Sequence, residues 1–206
     1  FMEILSITTC AIISIRRKKE NYTAAFRYVM LNELGSLSFL FGVALLYMIS
    51  GYTNIDLVGE AVRNGYENYP TNVVMALLFM GVGLAIKSAL FPFHVWLPDA
   101  HSNAPSPSSA ILSAVVIKVY VIVHIKVLFR VMGISIIETL GVPLILTVLG
   151  VTAMIMGSIF ALAQKDIKRM LAYSSVAQIG YIILGISLLS TTGLRAAFFH
   201  ILSHGF

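Results

Sequence analysis

Long apolar stretches alternate with short polar turns along the whole chain. Most of the apolar stretches hold about 20 residues, the length of an α-helix that crosses a hydrocarbon core of about 30 Å. They lack the residue-by-residue alternation of a membrane β-barrel strand, so we interpret them as helices. The predicted spans are 1–15, 24–50, 72–97, 108–130, 137–162, 170–189 and 194–206. The sequence therefore predicts an all-α integral membrane protein, a multi-span helical bundle that forms one transmembrane domain over residues 1–206.

The third predicted span contains a helix-breaking residue close to a charge. Pro92 has no N–H for the carbonyl of Ser88, and its ring crowds the preceding turn. Lys87 lies about one turn away. We therefore predict a discontinuous helix with backbone carbonyls exposed to water or to the Lys87 ammonium group. An ordinary proline kink, or a span that ends there, is the alternative.

Composition places the chain in a membrane rather than in water. Hydrophobic residues make up 58% and charged residues 11% of the 206 positions, and the mean hydropathy is +0.91. A soluble domain carries about 25% charged residues, so this chain has too few charges to cover a water-facing surface. The single cysteine, Cys10, excludes an internal disulfide and a cysteine-rich metal or iron–sulfur site.

Basic residues in the turns explain the net charge of +5. If successive spans cross the membrane in opposite directions, the loops 16–23, 98–107 and 163–169 lie on one side. The first of these loops carries four Lys or Arg residues and the third carries three. Because basic residues collect in cytoplasmic loops, we predict that all three are cytoplasmic in a multi-pass protein of the inner (plasma) membrane. We predict that this positive charge lies at the surface of the lipid bilayer, the predicted partner, and we predict no nucleic-acid partner.

Both ends of the sequence fall inside apolar patterns. The first residue is Phe1 and not Met, and the chain ends within the stretch "FFHILSHGF". We therefore expect the chain to be a fragment of a longer bundle.

Two lysines lie inside predicted spans, where charge is costly. Lys87 is in the later part of the third span, and Lys118 is near the middle of the fourth. Inserting such a residue costs about 2.5–3.5 kcal/mol, and burial disfavours the ammonium form. Each lysine is therefore a candidate for taking up and releasing a proton near neutral pH. A side chain that reaches the headgroups along its aliphatic stem is the alternative, and it is preferred for Lys126 and Arg130.

Two carboxylates are candidate partners for a buried lysine. Glu3 lies on the first span, and Glu33 lies about ten residues into the second. Attraction to Glu3 would hold Lys87 in its protonated form, and separating the two would favour release of the proton. Glu33 is the second candidate, with a hydrogen bond to Ser36 or Ser38, or a position near the interface, as its alternative.

Two histidines near the end of the chain share a helical face. His200 and His204 are four residues apart, a spacing that suits a proton relay of neutral imidazoles. Zinc sites use the same spacing, but no third ligand lies nearby in sequence, so no metal site is predicted. His124 shares a face with Tyr120, where a packed core histidine is as consistent with the sequence as a relay member.

Three stretches of the chain carry a resemblance to a known family. They are "KSALFPFHVWLPDAHSNAPSPSSAILS", "QKDIKRMLAYSSVAQIGYIILG" and "AAFFHILSHGF". These stretches closely resemble the antiporter-like subunits of respiratory complex I, a family that includes the large subunits of Mrp-type cation/proton antiporters and of membrane-bound hydrogenases. The resemblance covers nearly the whole chain. It implies an antiporter-like inverted-repeat fold, in which this chain corresponds to the part from the fifth helix into the eleventh.

The resemblance assigns proton-translocating roles to five residues. Glu3 matches the family's glutamate on the fifth helix, and Lys87 matches the lysine on the broken seventh helix that pairs with it. Lys118 matches the connecting lysine on the eighth helix, and His200 and His204 match the histidines of the eleventh. The helix break and signature loop comprise Pro92, His94, Trp96, Asp99 and His101.

The chain departs from the family pattern in two ways. The family often has the pattern K-x-G-x-Y at the eighth-helix lysine, where this chain has "KVYVIV". A further lysine on the family's eleventh helix and the broken twelfth helix would lie beyond the end of this chain. We therefore expect the chain alone to hold the first half of an ion path and no outlet.

The resemblance and the buried charges together predict a membrane subunit that moves protons, or exchanges Na⁺ for H⁺, through buried Glu, Lys and His residues. The parent assembly would be complex I-like, a membrane-bound hydrogenase or an Mrp antiporter, with other membrane subunits of a hetero-oligomeric complex as partners. No catalytic residue, cofactor or metal site is predicted, so the chain would be a non-catalytic part of a redox-driven translocase of the NADH-quinone oxidoreductase or hydrogenase type.

Two other functions remain open at the level of sequence. The chain could be a structural membrane scaffold whose charges only specify helix contacts. It could also be a quinone-site subunit, which requires a cavity open to lipid near His94 and Trp96.

Overall fold

The structure, a computed structural model, describes residues 2–205 and consists of helices joined by short turns. Residues 1 and 206, the outer ends of the first and last predicted spans, lie outside the described part. No β-strand occurs among the described residues. Five helices are long and apolar enough to cross a membrane, namely Lys19–Ser50, Pro70–Lys87, Ser106–Met132, Val142–Leu162 and Ile167–Ser187. The predicted all-α, multi-span bundle is confirmed.

The helices are numbered in chain order. They are α1 (Met2–Ser14), α2 (Lys19–Ser50), α3 (Ile55–Gly65), α4 (Pro70–Lys87), α5 (Trp96–Asn103), α6 (Ser106–Ile111), α7 (Ile117–Lys126), α8 (Ile134–Thr139), α9 (Val142–Leu162), α10 (Ile167–Ser187) and α11 (Thr191–Ser203). The π-helical segments Leu112–Val116 and Val127–Met132 follow α6 and α7 without a turn, so 106–132 is one continuous helix. The main packed pairs are α9 with α10 and α2 with α4, with α1 against α2 and α11 against α10.

The discontinuous helix is present, but its break comes earlier than predicted. α4 ends at Lys87, five residues before Pro92. Ala89 has a left-handed backbone (φ 54°), and the N–H groups of Ala89 and Leu90 bond to carbonyls in the last turn of α4 at 3.2 and 2.9 Å. These two bonds form a Schellman helix end, which normally carries glycine at the left-handed position. In this chain the left-handed position is occupied by alanine, which is not a helix-end signal. Pro92 was therefore the visible helix breaker in the sequence.

Of the other predicted boundaries, three differ most from the structure. The loop predicted over 98–107 is largely helical, because α5 continues to Asn103. The fifth span begins at Val142 and not at 137, because Gly141 (φ 66°) separates α8 from α9. The second begins at Lys19 and not at 24, because a tight turn with Arg17 at φ 56° completes the chain reversal within the basic segment.

The three loops predicted to share one side of the membrane lie at the same end of the bundle. Asp99 at this end forms ion pairs with Arg27 of α2 at 2.6 Å and with Arg169 of α10 at 2.8 Å. Lys168 Nζ also donates a hydrogen bond to the carbonyl of Ala104 at 2.7 Å. We call this the basic end. The opposite end of the bundle carries α3 and α8, which pack against the Val127–Met132 segment.

Paired glycines bring two sets of helices into close contact. A Cβ atom on Gly83 of α4 would lie 2.5 Å from the carbonyl oxygen of Gly35 on α2. A Cβ atom on Gly180 of α10 would lie 2.7 Å from the carbonyl oxygen of Gly150 on α9. Small residues allow membrane helices to gain van der Waals contact in the absence of a hydrophobic driving force. The close fit of α4 against α2 fixes the position of Lys87.

We predict that Gly83→Ala destabilises the protein by about 1–3 kcal/mol, the usual cost of forcing extra volume into a packed contact. Gly81→Ala is the matched control, because it lies on the same helix and a Cβ there meets no atom within 4 Å. Alanine favours helix over glycine, so the control should be neutral or mildly stabilising. Thermal unfolding of the full-length protein in detergent measures the difference. Equal stability of the two variants would show that α2 and α4 do not make this contact.

Candidate functional site

Lys87 is fully buried at the last residue of α4, with 0% of its surface exposed. Its ammonium group donates a hydrogen bond to Ser6 Oγ at 3.0 Å and lies 5.2 Å from the ring centroid of Tyr120. Among the described residues, no carboxylate oxygen lies within 4.0 Å of the ammonium nitrogen. A hydroxyl dipole and an aromatic face therefore stabilise the charge in place of a direct ion pair.

The two candidate carboxylates lie beside each other and act on the lysine from a distance. The side chains of Glu3 and Glu33 are near neighbours, with Ser36 close to Glu3. Both are near enough to interact electrostatically with Lys87. The predicted Glu3–Lys87 pair is therefore not a direct contact, and Ser6, one turn further along α1, accepts a hydrogen bond from the ammonium group.

Two tyrosine hydroxyls extend this site. Tyr28 and Tyr120 are 0% and 1% exposed, and among the described residues neither hydroxyl has a hydrogen-bond partner. Both hydroxyls lie near Ser6, the residue that accepts the hydrogen bond from Lys87. Buried polar groups in proteins nearly always bond to protein or to ordered water. The surroundings of Lys87 are therefore polar enough to hold internal water.

Protein groups occupy the carbonyls at the helix break. Trp96 Nε1 donates to the carbonyl of Ile86 at 2.9 Å, and Ser88 Oγ donates to the carbonyl of Leu84 at 2.7 Å. The Lys87 ammonium group donates to Ser6 and to none of these carbonyls, which the Schellman turn, Ser88 and Trp96 satisfy. The prediction for the carbonyl of Ser88, four residues before Pro92, stays a prediction. The signature loop thus caps the end of α4 through Trp96, and the Lys87 ammonium group bonds to Ser6 instead.

Lys118 is the second buried lysine, with 3% of its surface exposed. Its ammonium group donates to the backbone carbonyl of Ser113, within the π-helical segment Leu112–Val116. The Ser113 hydroxyl lies 3.0 Å from the Ser175 hydroxyl of α10. No carboxylate oxygen of the described residues lies within 4.0 Å of Lys118 Nζ. Like Lys87, Lys118 donates a hydrogen bond to a neutral oxygen next to an irregular stretch of helix. π-Helical segments are frequent at functional sites.

His101 lies between Lys118 and the basic end. It is 3% exposed, its Nδ1 lies 2.6 Å from Ser109 Oγ, and its Nε2 has no partner among the described residues. Burial, together with the positive charges of Lys168 and Lys118, lowers the pKa of His101 to about 4. The imidazole is therefore neutral through the physiological pH range.

His200 lies near the end of α11 and His204 directly after it, both within reach of the Lys118 charge. His200 Nε2 lies 2.6 Å from Gln178 Oε1 and its ring is 5.5 Å from that of Tyr181. Because an amide oxygen only accepts, Nε2 carries the proton in this contact. His204 is half-buried, and among the described residues its Nδ1 has no hydrogen-bond partner. The charge of Lys118 acts on both imidazoles.

The remaining signature-loop residues have packing and anchoring contacts. His94 is 6% exposed and stacks on Phe91 and Phe160 at 5.3 and 6.0 Å between ring centroids. Trp96 is 1% exposed, and Asp99 ties α2 to α10 through its two ion pairs. Pro92 lies in the turn between α4 and α5. In the described part of the chain, the hydrogen bonds of the two buried ammonium groups go to Ser6 and Ser113 and not to these four residues.

Sequence reasoning missed the neutral residues that hold the charged ones. Ser6 lies three residues after Glu3, and Tyr120 lies two residues after Lys118, but nothing in either spacing indicates a contact with Lys87. Gln178 is 22 positions from His200, so their contact has no local signal at all. Among the described residues, no group of three His, Cys, Asp or Glu side chains could hold a metal ion.

We predict that acid destabilises the parent protein more than it destabilises His101→Gln. Since the pKa of His101 is about 4 in the folded state and 6.5 in the unfolded state, its contribution is complete above pH 6.5 and is lost as the pH falls towards 4. Glutamine keeps a polar contact for Ser109 and does not titrate. The check is the unfolding temperature of both proteins at pH 7 and pH 5. Parallel losses in the two proteins would contradict the assignment of a buried neutral imidazole.

Comparison with known proteins places this arrangement in a family. The whole chain, residues 1–206, matches the family model described as NADH:quinone oxidoreductase/Mrp antiporter, TM. The chain is 40% identical over 208 residues to NADH-quinone oxidoreductase subunit N of Desulforudis audaxviator, covering 99% of this chain and 40% of that protein. It is 34% identical over 206 residues to NADH-quinone oxidoreductase subunit M of Rickettsia typhi, covering 100% of this chain and 40% of that protein.

Solved structures agree with the sequence matches. A chain of the membrane-bound sulfane sulfur reductase, an archaeal respiratory membrane complex, superposes with a TM-score of 0.89 at 33% identity, over 99% of this chain and 41% of that one. A chain of the Mrp complex from a Dietzia species superposes with a TM-score of 0.81 at 28% identity, over 91% of this chain and 33% of that one. This chain spans about 40% of the length of the curated relatives that it matches.

These matches confirm the family resemblance and the predicted antiporter-like fold. Together with the five membrane-length helices, they make the protein an integral inner-membrane protein, as predicted. The chain belongs to the NADH:quinone oxidoreductase/Mrp antiporter transmembrane family.

Proposed function

We propose that this chain is part of a membrane subunit that translocates protons through buried Glu, Lys and His residues. The observation that carries the proposal is the burial of two lysines and the kind of group that each ammonium contacts. Lys87 and Lys118 are 0% and 3% exposed inside membrane-length helices, and each ammonium group is held by a neutral oxygen instead of a carboxylate. Since no adjacent carboxylate locks the charge, each lysine can give up its proton and remain hydrogen-bonded.

Protons suit this site better than Na⁺. A sodium ion needs several oxygen ligands, whereas the carriers proposed here are amines and imidazoles, which bind and release protons. The oxygen-rich part of the site is the Glu3–Glu33 pair beside Ser36. Exchange of Na⁺ for H⁺ would require this pair to bind the metal ion, so replacing Na⁺ by choline in the transport assay distinguishes the two cargoes.

The proposed path has three stations. The first is Lys87 with the carboxyl pair, the second is Lys118, and the third is the His200–His204 pair of α11. Tyr120 connects the first two stations, because its ring contacts the Lys87 ammonium and it lies on the same helix as Lys118. Internal water beside the buried tyrosine hydroxyls would complete the connection.

Electrostatic repulsion would couple the stations. Two positive charges in a poorly screened interior repel one another much more strongly than in water. A proton that arrives at Lys87 therefore favours release of the proton on Lys118 towards the histidines, on which the Lys118 charge already acts. The chain needs no redox group of its own for this step, and the driving reaction would belong to a partner.

Other membrane subunits are the proposed partners. The relatives are named as subunits of NADH-quinone oxidoreductase, and the solved structures are a respiratory membrane complex and an Mrp complex. We infer that this chain also works within a hetero-oligomeric membrane assembly. The basic end would face the cytoplasm, because the loops 16–23 and 163–169 that carry most of its charge lie there.

Two other functions have less support. A pure scaffold would not need two lysines in the bundle interior with no carboxylate in contact, since a buried charge without a partner is costly. A quinone site near His94 and Trp96 conflicts with their packing. The His94 ring is stacked between aromatic neighbours, and the Trp96 indole N–H is bonded to a backbone carbonyl.

We predict that Lys87→Met and Lys118→Met each reduce proton movement at least tenfold, because each removes one station. Lys126→Met is the matched control, since Lys126 is an exposed lysine on the same helix as Lys118. Proton movement is followed with a pH-sensitive dye inside vesicles that hold the full-length protein in its assembly, and it is divided by the amount of assembled protein. Normal transport by both buried-lysine variants, or an equal loss in all three, would exclude the proposed path.

We predict that the two carboxylates partly replace each other. Glu3→Gln and Glu33→Gln should each lower transport by only a fewfold, because one negative charge near Lys87 remains. The double variant should lose more than the product of the two single losses, since no carboxylate is left to stabilise the protonated lysine. The same vesicle assay measures all three variants. A double variant no worse than Glu3→Gln alone would show that Glu33 has no role.

A further inference from the structure

A large apolar cleft opens on the side of the bundle near the end opposite the basic end. Its volume is about 530 Å³, within the range of about 300–1,000 Å³ that is typical of ligand sites. The second half of α2, the start of α3 and the end of α7 form its walls. The described residues that line it are nearly all aliphatic or aromatic, and the only charged one among them is Lys126.

The amphipathic helix α3 is fixed beside this cleft. Arg63 of α3 donates to the carbonyl of Arg130 at 2.9 Å, and the Arg130 guanidinium forms an ion pair with Asp56 at 2.9 Å. Gly59 allows the close approach, because a Cβ atom there would lie 2.2 Å from the same carbonyl oxygen. Residues at the start of α3 thus form one rigid wall of the cleft.

Lys126 is the charged residue among those described that line the cleft. The two neighbouring arginines are engaged with each other and with Asp56, as described above. Lys126 is exposed, and among the described residues its ammonium group has neither a carboxylate within 4.0 Å nor a hydrogen-bond acceptor. Tyr47 and Tyr52, each 52% exposed, also line the cleft. Tyrosines of this kind collect where a membrane protein meets the lipid headgroups.

We propose that this cleft binds one anionic phospholipid, with an acyl chain along the apolar walls and the phosphate on Lys126. The long stem of lysine can lie along apolar surface while the ammonium group stays at headgroup level. An anionic headgroup supplies the charge that Lys126 lacks, and an exposed ion pair of this kind favours the anionic lipid by up to about fivefold. The site is separate from the buried lysines and does not depend on the proposed transport.

The test measures lipids retained by the purified full-length assembly. Native mass spectrometry is carried out after exchange into detergent containing equal amounts of phosphatidylglycerol and phosphatidylcholine. We expect the parent and Lys126→Arg to retain phosphatidylglycerol preferentially, and Lys126→Met to lose up to about fivefold of that preference. Ala44→Trp, which places a large ring on the cleft wall, should displace both lipids. Leu144→Trp is the control, because Leu144 is 71% exposed on α9 and lies outside the cleft.

Two results would overturn the proposal. One is an unchanged ratio of phosphatidylglycerol to phosphatidylcholine in Lys126→Met, which would show that Lys126 selects no headgroup. The other is loss of a protein subunit, with lipid retention unchanged, in Ala44→Trp. That result would mean that a protein helix, from a neighbouring subunit or from the rest of the full-length protein, occupies the cleft instead of an acyl chain.

Discussion

The ammonium group of Lys87 rests on a serine hydroxyl and an aromatic face in the interior of the bundle, without a carboxylate in contact. This arrangement places demands on four helices. α1 must bring Ser6 to the ammonium group, and α7 must bring Tyr120. α2 must hold Glu33 beside Glu3, at a distance where both carboxylates interact electrostatically with Lys87 without contacting it. α4 must end at the lysine itself. The glycine contact between α2 and α4 and the cap supplied by Trp96 meet the last two demands.

The second buried lysine, Lys118, is also stabilised by a neutral oxygen next to an irregular helix, although the groups that form the site differ. Lys87 sits at a Schellman helix end, and Lys118 follows a π-helical segment whose Ser113 carbonyl accepts from its ammonium group. In both places an irregularity of the helix accompanies a buried charge held by a neutral oxygen. Irregular backbone at membrane depth persists only where protein or water satisfies it, so each irregularity requires a polar neighbourhood. That neighbourhood allows a lysine to exist there with or without its proton.

The spans, the buried lysines and the paired histidines were predictable from the sequence because each leaves a local signal, either a long apolar stretch or a charge or spacing within one. The end of α4 was misplaced because Ala89 takes a left-handed backbone that usually requires glycine, so Pro92 was the visible breaker. Ser6 and Gln178 were missed because their contacts join helices far apart in sequence. The π-helical carbonyl beside Lys118 was missed because a π-helical segment has no simple composition signal.

The most direct measurement follows the protonation of the two lysines while the full-length assembly works. Lysine side chains are labelled with ¹⁵N, the signals of Lys87 and Lys118 are assigned by their loss in the Met variants, and spectra of membranes are recorded with and without an imposed proton gradient. If protons pass between the two lysines, the gradient will change the charged fraction of both side chains, and the two changes will have opposite sign. Two signals that remain those of fully charged ammonium groups, with and without the gradient, would contradict a path through these residues.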